Sequence, residues 1–197
     1  MNTKKMRVFV AGTWRKKKAS DFANVATSLG QQLAERGYDL ACGPGTGISE
    51  FVIQGYRSVD SRGEVIFFLP DRREMEKVGE EVGFGADRIV ETDLDYPMRN
   101  IYQIRASDAL FIVTGGDGTL EEGVIALADY GIPVAALRGS GPAVQALELL
   151  LPLFPVWEKL LKIGESVPDL LDHLASNMIN KGSGSAVPGK YVALKTA

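Results

Sequence analysis

The residues whose types and spacing can do chemistry gather in Ala109-Leu110-Phe111-Ile112-Val113-Thr114-Gly115-Gly116-Asp117-Gly118-Thr119-Leu120-Glu121-Glu122. Five apolar residues in a row suit a strand buried on both faces, and the glycines after them suit a tight turn. Thr119, followed three residues later by Glu122, reads as a helix capping box. In such a loop the backbone N–H groups of Gly115, Gly116, Gly118 and Thr119 can approach an anion closely, and the positive end of the following helix adds to the attraction. A phosphate is the natural guest. Glu122 itself has two readings, a structural cap or a carboxylate that faces the ligand, and residue physics leaves both open.

Two further turns follow short apolar runs. Gly12-Thr13 closes residues 6–11, and Gly43-Pro44-Gly45-Thr46-Gly47 closes residues 38–42. Gly12, Thr13, Gly43, Gly45 and Thr46 are therefore candidate ligand contacts, although a glycine turn also serves simple chain reversal. The basic run Arg15-Lys16-Lys17-Lys18 is either a solvated loop or an added phosphate contact. Over residues 97–107 the pattern is helical, with Met98, Ile101 and Ile104 on an apolar side and Arg99 and Gln103 one turn apart on another. That spacing predicts a presented Arg99, not a buried one.

The elements that must position these residues alternate. Short apolar strands at residues 6–11, 38–42, 64–69, 88–91, 109–113 and 133–137 are separated by helical patterns, one beginning near Ser20. This alternation predicts an α/β fold, a Rossmann-like doubly wound parallel sheet flanked by helices, with ligands beyond the carboxyl ends of the strands. After Pro142 the pattern reads as apolar helices broken at Pro152 and Pro155, then a last helix over residues 166–177. Leu147, Leu150, Leu151, Phe154 and Trp157 make that stretch too apolar for a one-sided surface and predict a homodimer interface.

The 197 residues fit one nucleotide-binding domain over 1–180 with a flexible glycine- and serine-rich tail over 181–197. A net charge of −3 gives no reason to expect nucleic acid, so a small phosphorylated metabolite is the expected partner. Cys42 and His173 are the only residues of their types, which excludes an intrachain disulfide and argues against a zinc site or a histidine triad. No stretch reads as a secretory signal or a membrane span, so a cytoplasmic protein needing neither metal nor cofactor is expected.

The run Met98-Arg99-Asn100, then Ser107-Asp108-Ala109 and the Gly115 to Glu122 stretch, resembles the Lonely Guy family, long mislabelled as lysine decarboxylases and part of the wider SLOG superfamily. Its hallmark is P-G-G-x-G-T-x-x-E, preceded by an arginine at the spacing of Arg99; the segments around Gly12 and Gly43 look like the family's first two turns. The resemblance implies a dimer or larger assembly that hydrolyses the N-glycosidic bond of nucleoside 5′-monophosphates. It implies a 5′-phosphate held by the Gly115 loop, Glu122 facing the ribose, and Arg99 holding phosphate or keeping the carboxylate ionised. Relatives of the same fold only bind, including molybdenum-cofactor carriers and nucleotide sensors. Three positions depart from the pattern: Thr114 replaces the proline, Asn100 a common lysine, and Asp117 an uncharged residue. Gly-Gly-Asp-Gly-Thr is also a signature of NAD and diacylglycerol-type kinases, but those carry a β-rich domain after the motif, where this chain is short and largely helical in pattern.

Overall fold

The computed structural model describes residues 5–60 and 62–179. In chain order, β1 (Arg7–Ala11) leads through α1 (Lys16–Ala19) and a 3-10 turn to α2 (Ala23–Glu35), and β2 (Asp39–Cys42) leads to α3 (Ile48–Arg57). Next come β3 (Val65–Leu69), α4 (Arg72–Val78), β4 (Arg88–Glu91), α5 (Tyr96–Arg105), β5 (Ala109–Ile112) and α6 (Asp117–Ala128). The described chain ends with β6 (Val134–Leu137), α7 (Pro142–Leu150), β7 (Leu161–Gly164) and α8 (Val167–Ile179). All seven strands are parallel, in the order β4-β3-β2-β1-β5-β6-β7, so this is the Rossmann-like doubly wound sheet the alternation predicts.

Successive strand residues feed opposite layers. Val8 and Val10 pack with α2, α3 and α8, while Phe9 and Ala11 pack with α5, α6 and α7. Strands covered on both faces have no polar side to show, and every residue of β2, β3, β5 and β6 is buried. Helices α2 and α3 touch backbone to backbone: a Cβ added at Gly30 would lie 1.9 Å from the Val52 oxygen, and one at Gly55 would lie 1.8 Å from the Thr27 oxygen. This contact fixes where the N-terminus of α3 points.

The structure corrects several sequence expectations. Lys16, Lys17 and Lys18 of the basic run lie in a helix, Lys16–Ala19, instead of a loop, and the helix expected near Ser20 begins properly at Ala23. The stretch read as apolar helices contains β7, whose register with β6 pairs Val134 with Leu161 and Leu137 with Gly164. With only four residues, β7 has too short a pattern to separate from the helical one. Leu147 and Trp157, expected at an interface, are buried within this chain. The tail expected over residues 181–197 lies outside the described residues.

Candidate functional site

Strand order turns around at β1, where β2 to β4 lie on one side and β5 to β7 on the other. Loops leaving β1 and β5 diverge there and leave a crevice. Pairing Val8 with Ala109 and Ala11 with Ile112 brings the two strands to their carboxyl ends at the same level. The crevice is a cleft of about 470 Å3, a size that suits a small ligand. Gly12, Thr13, Gly43, Thr46, Arg99, Gly115, Gly116, Gly118, Thr119 and Glu122 all line it. Gly45 does not. At φ +88° it turns the backbone against Phe67, whose ring would stand 2.4 Å from an added Cβ.

The capping box is absent. Helix α6 starts at Asp117 with Gly116 as its N-cap, and no side chain caps it. Its first bond, Leu120 N–H to the Gly116 carbonyl at 3.0 Å, leaves the N–H groups of Asp117, Gly118 and Thr119 without acceptors inside the helix. These are the donors an anion needs. Gly115 is required by conformation and space, with φ +152° and an added Cβ only 2.1 Å from Thr119 Oγ1. Thr114 replaces the family proline with a tether: its hydroxyl donates to the Ser140 carbonyl, and Ala143 N–H donates to the Gly115 carbonyl at 3.2 Å. Asp117 is exposed, at the helix end where a negative charge is favoured.

Arg99 is buried, at 6% exposure, contrary to the sequence expectation. Helix α5 is positioned by the Asp95 carboxylate, which accepts from Met98 N–H at 2.9 Å, and turns Arg99, Asn100 and Gln103 inward while Met98 stays half exposed. The polar side is buried because it lies under the cleft. Arg99 Nη1 donates to Gln103 Oε1 at 2.9 Å, and the guanidinium stands 5.4 Å from the Tyr96 ring centre. Arg99 Nε, Asn100 Oδ1, Gln103 Nε2 and Thr46 Oγ1 are buried and find no partner among the described residues. Unpaired buried groups each cost about 1–3 kcal/mol, and Thr46, Arg99 and Asn100 line the cleft, where a ligand or water can pair them.

Glu122 is buried and Glu121 exposed, as expected for neighbours projecting about 100° apart on a helix. Burial pushes the Glu122 carboxyl up to about 7, against the opposing pull of Arg99 and with a smaller push from Glu121. Near neutral pH this group can give or take a proton. Glu80 is a second buried carboxyl in the cleft, also raised by burial, and Tyr96 Oη donates to its Oε2 at 2.5 Å. The Cys42 thiol is pushed up to about 12 by burial, which makes it an inert packing group. Glu80, Tyr96 and Trp14 line the cleft without having stood out in the sequence. Tyr96 carried a signal, its place four residues before Asn100 in the helical pattern; Glu80 carried none.

An open parallel sheet with a glycine-loop cleft at its switch point defines a Rossmann-like α/β fold. The chain belongs to the SLOG cluster4 family, whose model matches residues 5–150. An uncharacterized protein of Archaeoglobus fulgidus is 33% identical over 114 residues, 58% of this chain and 69% of that one. The X-ray structure of TM1055 matches with TM-score 0.71 and 27% identity over 87% of this chain and 99% of that one. The molybdenum cofactor binding protein from Rippkaea orientalis matches with TM-score 0.68 and 24% identity over 89% of this chain and 98% of that one. Among the described residues no helix is long and apolar enough to cross a membrane, and no group of three His, Cys, Asp or Glu is placed to hold a metal ion.

Proposed function

We propose that this protein hydrolyses the N-glycosidic bond of a nucleoside 5′-monophosphate, releasing free base and ribose 5-phosphate. The observation that carries this reading is a buried Glu122 carboxyl in the same cleft as Arg99 and the free N–H groups of α6. The 5′-phosphate sits on the N–H groups of Asp117, Gly118 and Thr119 and supplies the binding energy that holds the sugar in place. The ionised Glu122 stabilises positive charge growing at C1′ and takes a proton from the attacking water. The water oxygen bonds to C1′, the C1′–N bond breaks, and the electron pair leaves with the base, which is then protonated. Arg99 keeps part of the Glu122 population ionised at neutral pH. The test is a chromatographic assay for free base over a panel of nucleoside monophosphates, with Glu122→Gln as control. Base release that the substitution abolishes supports hydrolysis; no release with any nucleotide overturns it.

The second reading is a carrier that uses the same loops without turnover; the Rippkaea orientalis protein of this fold is named a molybdenum cofactor binding protein. Asn100 Oδ1 and Arg99 Nε favour it, because a buried unpaired acceptor and donor suit the edge of a bound heterocycle. Tight binding without product formation supports this reading over hydrolysis.

A further inference from the structure

Trp14 follows the Gly12-Thr13 turn at the carboxyl end of β1 and lines the cleft, yet it is 39% exposed and takes no part in either apolar layer. Its backbone is held firmly. Ile48 N–H donates to the Thr13 carbonyl at 3.0 Å, and Gly47, at φ +60°, lies so close that an added Cβ would stand 2.6 Å from Trp14 Cα. The Arg15 guanidinium stands over one face of the indole, 5.7 Å from the ring centre. A large aromatic side chain that packs in no core, on a rigid turn at a cleft wall, is a surface built for another ring.

We propose that the Trp14 indole is the platform on which the planar heteroaromatic ring of a phosphorylated ligand stacks, while the ligand's phosphate sits at residues 117–119. The placement of the phosphate rests on the function proposed above; the stacking does not. Trp14 follows the turn after β1 and the phosphate donors follow the turn after β5, two adjacent strands whose ends are level, and all of them line one cleft. Arg15, whose guanidinium stands 5.7 Å from the indole centre, lines the same cleft and adds a positive charge beside the ring. The ligand is thus a ring phosphate, a nucleotide or a pterin, in preference to a sugar phosphate or a polyphosphate without a ring.

The experiment compares AMP, neopterin monophosphate and the ringless ribose 5-phosphate by calorimetry on wild type, Trp14→Ala and Trp14→Phe, with folding checked by thermal unfolding. Trp14→Ala is expected to weaken AMP or the pterin by about tenfold or more, the usual weight of base–aromatic stacking. It should leave ribose 5-phosphate unchanged, and Trp14→Phe should restore most of the loss. Whichever ring ligand loses affinity identifies the source. The only other tryptophan, Trp157, is buried and stacked on Phe154 at 4.4 Å, so in a Trp157→Phe background the ring ligand should quench the remaining Trp14 emission. Unchanged affinity for both ring ligands in Trp14→Ala, or an equal loss for ribose 5-phosphate, overturns the proposal. Failure of ribose 5-phosphate to bind wild type counts against the phosphate site alone, because stacking is read from the ring ligands.

Discussion

Arg99 Nη1 donates to Gln103 Oε1 at 2.9 Å, one turn along α5, and the same nitrogen would stand 3.4 Å from a Cβ added at Gly43. One guanidinium thus lies between the helix before the Gly115 loop and the turn after β2, in the wall of the cleft. Gln103→Leu should leave Nη1 unpaired and cost about 1–3 kcal/mol of stability. The freed guanidinium should also weaken nucleotide binding. A chemical denaturation curve matching wild type would show that the bond contributes nothing.

Glu122→Gln should keep its fold and its nucleotide affinity yet lose at least roughly a hundredfold in turnover, as removal of one key electrostatic group does. Glu121→Gln should do little, because that side chain is exposed. Since no capping box exists at α6, a stability effect cannot be confused with loss of a cap. Equal turnover by Glu122→Gln and wild type would leave the carboxylate without a catalytic role.

Stability should depend on pH through Glu122. Its carboxyl titrates at about 7 in the folded chain against 4.5 as the ordinary value, so between these the folded state binds more protons than the unfolded one. Stability is therefore fully present below about pH 4.5 and falls as pH rises through 7, by about 3 kcal/mol for a displacement of this size. Glu122→Gln removes this dependence, so its melting temperature should exceed that of wild type increasingly from pH 5 to about pH 7 and by a steady margin above that. Parallel curves for the two proteins would argue against a raised carboxyl.

Affinity should depend on the 5′-phosphate. Losing several charge-assisted bonds of roughly 1.5–3 kcal/mol each should make adenosine bind orders of magnitude worse than AMP, even without additivity. Equal calorimetric affinities would place the ligand's anchor elsewhere.

A homodimer is expected through the end of α7 and the turns after it, where Leu149, Leu153 and Val156 are more than two-thirds exposed and Phe154 is 43% exposed. Leu153→Glu should then dissociate it. Light scattering that finds wild-type monomer at micromolar concentration decides against this interface.

Several features were legible in the residues alone. Apolar runs such as residues 109–113 have one stable placement, a strand covered on both faces, and alternation with helices leaves parallel pairing as the available topology. Glycines ending those runs mark the loops, so the cleft could be located from spacing alone. The third dimension decided what depends on non-local packing. Arg99 and Gln103 look like a solvated stripe by helical period, but α5 lies with that stripe under the loops of β1, β2 and β5, which buries it. Glu122 three residues after Thr119 has the spacing of a cap, yet Gly116 starts the helix earlier, and the carboxylate is spent on the cleft instead. Strand β7 exists because β6 offers it an edge, and Trp14 faces the cleft because Gly47 lets α3 approach its backbone. Local sequence sets which conformations are cheap, and burial against distant segments sets which face of each one meets the ligand.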